Sequence, residues 1–332
     1  MPGSIADDFL SAIQEKRAYI PICIESLRLD TITGFDLYLQ ARPDEPVVLY
    51  AERNIAFTEE SRLRLEQNDV EHLLVSREQQ EEYRRYLENN LSAVLSDPTI
   101  SIESKTEILY TSAHGLMREL FENPELTGGI LRRREIVRNT VDFMHSQRPA
   151  FRHLIRMAAT DYEIFTHSVN GCVLGVALAQ RVGYDIRSHL GEFGLGALLR
   201  DLGMTRIDLL IRECTGKLTV RQYEALKQHP VYSENILRGL GETSKVALDL
   251  VRHHHEKMDG TGYPDKLKGD EVAPLVRILT IVDVFDALTT TRSYQAPLST
   301  FDALQLMFTK MQSELDVKFL RAFIGLMGTP DP

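Results

Sequence analysis

The sequence is short of cysteine, of positive charge and of long apolar runs, and each shortage excludes something. Among its 332 residues only Cys23, Cys172 and Cys214 carry thiols. An odd, scattered set of this kind is no disulfide framework and fits small buried residues in a reducing cytoplasm. Acidic residues outnumber basic ones, for a net charge of −10, so a nucleic-acid polymer is not the expected partner. No apolar run is long enough to span a bilayer, and the N-terminus lacks the basic-then-apolar pattern of a signal peptide. The expected location is therefore the cytoplasm, with no membrane association. An anionic substrate would need local cations, from metal ions or a few arginines. What remains is ordinary for a globular chain: 43% hydrophobic and 26% charged residues, in a length sufficient for two domains.

The first domain, residues 1–96, reads as a small α+β module. Ile20–Leu29, Phe35–Gln40, Val47–Ala51 and His72–Val75 have strand character, and Glu59–Asn68 is a short charged helix. Ser76 with Gln79 reads as a capping box opening a helix to about Leu95. The module holds no Gly-rich phosphate loop and no ligand cluster, so it is expected to be a docking or regulatory unit whose ligand the sequence does not give. Asp97-Pro98 marks a break. From there to residue 332 helical periodicity dominates, with helices near 103–122, 129–146, 150–159, 161–182, 190–202, 219–227, 231–238, 243–254, 274–291 and 299–313. The chain as a whole is thus mainly α, and the second domain an all-helical bundle.

The chemistry concentrates in that second domain. His253-His254-His255-Glu256 runs into the turn Asp259-Gly260-Thr261-Gly262-Tyr263-Pro264. Imidazoles beside carboxylates are ligands for divalent transition metals, and the glycines let a loop approach a ligand closely. Further candidates lie on other helices: Glu163 and His167 on one helix face, Asp201 after Arg200, His229 before Pro230, Asp283 and Asp286, then Arg292 and Tyr294. His72, His114, His145, His153 and His189 fall outside any motif.

These segments, in this order, resemble the HD-GYP proteins, a branch of the HD metal-dependent phosphohydrolases. The matching pieces are GKLTVRQYEALKQHP, HHEKMDGTGYP and LKGDEVAPLVRILTIVDVFDALTTTRSY, with the resemblance running over about residues 160–318. It implies an HD-type helical bundle with two or three iron- or manganese-type ions, zinc being tolerated, that hydrolyses the bacterial messenger cyclic di-GMP. By matching position, the metal ligands would be Glu163, His167, Asp201, His229, His254, His255 and Asp283, with Asp201 bridging two ions. Gly262, Tyr263 and Pro264 would form the substrate-facing loop, and Arg292 would contact a phosphate. Two ions close together lower the pKa of a bridging water and cancel phosphate charge.

The pattern breaks at one point. Where the family has a His-Asp pair this chain has Arg200-Asp201, and Met204 stands where the family has a phosphate-binding lysine. Arginine has no lone pair to offer a metal. The expectation is one well-held ion among Asp201, His229, His254 and His255, and a weakened second position that keeps Glu163, His167 and Asp283. Arg200 would then hold the substrate phosphate directly, beside Asp201 as a catalytic group. Two functional readings follow. One is a cyclic di-GMP phosphodiesterase of reduced activity. The other is a degenerate domain that binds the dinucleotide, or a partner such as a diguanylate cyclase, without hydrolysis. Either admits a homodimer.

Overall fold

The structure, a computed structural model, describes residues 18–42, 45–70, 72–123, 129–146, 164–184, 186–212, 214, 216–239, 241, 243–290 and 296–328. The expected helix at 150–159 lies outside them. The chain divides into two compact units, Met1–Ser112 and Ala113–Pro332. The division falls within a helix, α3 (Ile102–Glu122), rather than at the Asp97-Pro98 break.

In the first unit, strands β1 (Tyr19–Cys23), β3 (Leu37–Leu39), β4 (Val48–Ala51) and β6 (His72–Ser76) form an antiparallel sheet in the order β1-β6-β3-β4. Two-residue strands β2 (Thr31–Ile32) and β5 (Ala56–Phe57) make a separate pair. Alternation puts Ile22, Leu37, Leu73 and Val75 in the core. Helix α1 (Glu59–Glu66) is capped by Thr58, whose hydroxyl accepts from the Ser61 amide. Helix α2 (Gln80–Ser96) brings Tyr83 and Tyr86 edge-on to the buried Phe35 ring, at 5.4 and 5.5 Å between centroids. The Ser76–Gln79 capping box does not form. Ser76 makes no side-chain cap bond, and Gln79 donates instead to Asp36 Oδ2 at 2.8 Å, taking the Asp36 amide in return.

Helices are the only regular secondary structure among the described residues of the second unit. After α4 (Gly129–Ser146) come α5 (Ile164–Arg181), α6 (Arg187–Leu199), α7 (Leu209–Arg212), α8 (Val220–Leu226), α9 (His229–Gly239), α10 (Lys245–His253), α11 (Pro274–Thr289), α12 (Thr300–Lys310) and α13 (Val317–Met327). Helix α5 packs on α6 and α11, and α6 packs on α10, which gathers four helices around one core. Helix α11 reads apolar on nearly every face and is accordingly buried along most of its length, with Pro274 at its first turn. Caps set the helix starts: Ser244 for α10, a Thr219–Gln222 capping box for α8, Ser299 for α12 and Asp316 for α13. Helix α13 was not expected from the sequence. The helix expected over 190–202 ends at Leu199, because the chain tightens into a 3₁₀ turn at Leu202–Arg206.

Candidate metal centre

The end of α6 and the 3₁₀ turn after it present Asp201. The close approach of that turn to α9 is built on Gly203, where a methyl would overlap the His229 carbonyl. The Gly203 amide donates to Ser233 Oγ at 2.6 Å, and Ser233 Oγ donates to the Arg200 carbonyl at 2.7 Å. One buried serine thus ties the main chain on both sides of Asp201 to the helix that begins with His229. His254 and His255 follow directly on α10, and Asp283 lies midway along α11.

Two groups of donor atoms result, each with every atom within 4.8 Å of the others: Asp201, His229, His254 and His255, and His167, Asp201 and Asp283. In the first group, His229 Nδ1 donates to the Leu226 carbonyl at 2.8 Å and His254 Nδ1 to the Val251 carbonyl at 2.9 Å. With those protons placed, both Nε2 atoms carry lone pairs in the neutral rings. They face each other at 3.2 Å, and Asp201 Oδ1 lies 3.2 Å from one and 3.7 Å from the other. Burial holds the His254 pKa below its usual value, and burial with the neighbouring His254 holds His255 well below. Asp201 resists its burial because Arg200, His229 and His254 stabilise its charge, and its pKa is well below the carboxylate range. Its Oδ2 lies on the side of the second group, 3.4 Å from Arg200 Nε and 3.5 Å from His167 Nε2, and is buried without a hydrogen bond. Two opposed imidazole lone pairs with the Asp201 Oδ1 carboxylate oxygen beside them are what a shared divalent cation would satisfy, so this group fits a metal ion.

The second group is arranged differently. His167 Nδ1 lies 2.6 Å from Asp286 Oδ2, and its Nε2 lies 3.0 Å from Asp283 Oδ1. Burial and Arg200 push this histidine down, but its bonds to Asp283 and Asp286 prevail and raise its pKa to about 9. Asp286 also accepts from Asn170 Nδ2 at 2.7 Å. Through the 2.6 Å contact it orients the His167 ring. Asp283 lies 3.4 Å from His255 Nδ1, and its pKa is well below the usual range: burial opposes ionisation, but His167, His255 and Arg200 outweigh it.

Arg200 corrects an expectation. Its side chain has no exposed surface, and Nε donates to Asp283 Oδ1 at 3.0 Å, Nη1 to the Ala197 carbonyl at 2.7 Å and Nη2 to the His167 carbonyl at 3.0 Å. A guanidinium turned into the helical core and bonded to three protein acceptors does not reach a substrate phosphate.

Around the loop, Tyr263 is partly buried, its ring 4.7 Å from that of His255, while Gly262 is fully buried. A methyl at Gly262 would crowd the main chain of His255 and Glu256, so the loop folds back onto the histidine run. Pro264 follows at the partly exposed rim. Lys227 Nζ lies 5.7 Å from the Tyr263 ring centre and 4.7 Å from that of Tyr223. Glu256, next to the histidines in sequence, serves the loop. Its buried carboxylate accepts from the amides of Asp265, Lys266 and Leu267 at 2.7, 2.9 and 3.0 Å. His253 is held away from the donor groups by Asp249 and Asp265, at 2.6 and 2.8 Å. Glu163 and Arg292 lie outside the described residues.

A helical bundle that converges buried histidines and aspartates from separate helices belongs to a class built for divalent metal chemistry. Comparison with known proteins sharpens the class. Residues 186–318 match the HD domain family. The chain is 32% identical over 176 residues to the cyclic di-GMP phosphodiesterase PA4108 of Pseudomonas aeruginosa, which covers 53% of this chain and 42% of that protein. It is 38% identical over 120 residues to the 3'3'-cGAMP-specific phosphodiesterase 3 of Vibrio cholerae, covering 36% and 26%. It therefore spans less than half the length of these curated relatives. Among solved structures, Bd1817, an HDG"Y"P protein from Bdellovibrio bacteriovorus, shares the fold at a TM-score of 0.66 and 21% identity, with 94% of this chain and all of that one covered. The helical unit thus carries an HD domain over residues 186–318 and is similar to cyclic-dinucleotide phosphodiesterases.

Proposed function

We propose that the helical unit is a metal-dependent phosphodiesterase domain acting on cyclic di-GMP. The observation that carries this reading is the group of Asp201, His229, His254 and His255, with two imidazole lone pairs and a carboxylate converging next to Tyr263. The donor set suits iron or manganese and tolerates zinc. Such an ion, when bound, would polarise a phosphate oxygen and lower the pKa of a water ligand. The chain's own residues supply the rest. The two main-chain carbonyls fix the imidazole tautomers, Asp201 holds negative charge beside them, and Glu256 keeps the Gly262–Pro264 turn against His255. Gly262, Tyr263 and Pro264 form the wall that a dinucleotide would meet, with Arg292 as the expected phosphate contact. Named relatives act on cyclic di-GMP or on 3'3'-cGAMP, so both dinucleotides belong in the assay. Among the described residues no helix is long and apolar enough to cross a membrane, and a cytoplasmic setting fits a soluble messenger as substrate.

One observation favours a second reading, a domain that binds the dinucleotide or a partner such as a diguanylate cyclase without cleaving it. Arg200 occupies Asp283 and flanks Asp201, the acids that a second ion would need. Incubation of the purified protein with cyclic di-GMP and Mn(II) or Fe(II) decides between them. Linear product that disappears in His254→Ala supports the phosphodiesterase; micromolar binding with no product at any metal loading establishes the binding domain. Size-exclusion chromatography with light scattering tests the homodimer.

A further inference from the structure

The largest side chain fully buried in the described structure is Arg200, and a buried guanidinium needs a reason to be there. It cannot shed its proton, so the charge stays inside. Burying it without partners would be prohibitive. The partners are in place. Nε points at Asp283 Oδ1 at 3.0 Å and lies 3.4 Å from Asp201 Oδ2, while Nη1 and Nη2 reach the carbonyls of Ala197 and His167. The fork is thus fastened on three sides, and its charge sits against two of the three residues of the second donor group.

Room for it comes from Gly171. That residue lies on α5, four positions after His167, on the same helix face. A methyl there would overlap Arg200 Nη1 and would stand 2.7 Å from Cζ and 2.9 Å from Nη2. Helix α5 therefore supplies both a member of the second donor group and the notch that admits the arginine.

An ion in the second group would have to take Asp283 Oδ1 from the Nε–H that already points at it. It would also stand next to a fixed positive charge in a site with little water to screen it. The residues of this group, as they stand, do not fit a divalent ion. We infer that Arg200, seated in the Gly171 notch, is the resident cation of the second donor group and leaves the domain with one metal position instead of two. The inference deepens the proposed function and takes from it only that the first group holds an ion.

Metal stoichiometry and thermal stability test it, and neither measurement uses a dinucleotide. Wild-type protein purified without chelator and reloaded with Mn(II) should hold one equivalent by elemental analysis. Two or more equivalents would overturn the inference. Folded Arg200→His should rise toward two equivalents, and an unchanged count of one would also overturn it. Gly171→Ala should lower Tm by roughly 5 °C in the wild-type background, because the methyl displaces the fork, and should cost far less beside Arg200→His. Equal losses in the two backgrounds would remove the notch from the account. A protein that shows these results but cleaves no dinucleotide would contradict the proposed function alone. A protein that cleaves cyclic di-GMP with two ions bound would contradict only the inference.

Discussion

In the first donor group each of the two facing histidines is oriented by a neutral main-chain carbonyl three residues before it; in the second the histidine is oriented by an acid. A carbonyl fixes a ring and its tautomer without adding charge, so the ring can give its lone pair to a cation. Asp286 also fixes a ring, but it adds a negative charge that the surroundings must balance. The balance in this chain comes from protein groups, namely Arg200 and a histidine whose pKa is raised. The same Asp201 therefore faces a group open to a metal on one side and a charge-balanced ion-pair cluster on the other. A count of metal-binding residue types does not separate the two; the proton positions do.

The sharpest way to break this comparison is at the residue both groups share. Asp201→Asn should remove the bound ion and lower any dinucleotide turnover by more than about 100-fold, as read by elemental analysis and by formation of linear product. Retention of a full metal equivalent would mean that the first group does not depend on Asp201.

A smaller effect is expected from Asp286. In the metal-free protein His167 is pushed from 6.5 up to about 9. A raised pKa means that the folded state favours the proton. The resulting stability is fully present below 6.5, declines as pH rises, and is gone once pH passes about 9. Its size is at most about 3 kcal/mol. Urea unfolding of chelator-treated protein across that window should show the decline, and Asp286→Asn should flatten it. A slope unchanged by the substitution would show that Asp286 does not hold the proton on His167.

The smallest expected effect lies at the rim. Lys227→Met removes the cation near the rings of Tyr223 and Tyr263 and should weaken cyclic di-GMP binding by roughly threefold at low salt, and by less at high salt. Titration calorimetry at two salt concentrations checks it.

Much of the helical unit could be read from the sequence because its signals are local. The periodic apolar residues of α5 and α10, the histidine run and the glycine-marked turn each lie within a short segment. What could not be read depends on contacts between distant segments. Asp286 reaches His167 and Gly171 faces Arg200 across helix packing that no spacing rule encodes. Gln79 and Glu256 find their partners in the same way: each sits beside a local pattern, but folding offers it better partners elsewhere. Strands β2 and β5 are too short to show alternation. Arg200 was legible as a departure from the family pattern, but the direction of its side chain was not, since an arginine beside an aspartate looks the same whether it points to a substrate or into a core.

The tie through Ser233 has a consequence for how this domain can be altered. It grips the carbonyl of residue 200 and the amide of residue 203, both main-chain groups, so the backbone that carries Asp201 is held by bonds that do not use the side chain at position 200. That side chain behaves as an interchangeable part mounted on a fixed bracket. Replacing it changes what stands beside the aspartate and leaves the main-chain tie in place, so a domain with this bracket can exchange one cation arrangement for another by a single substitution and keep the backbone of its first donor group.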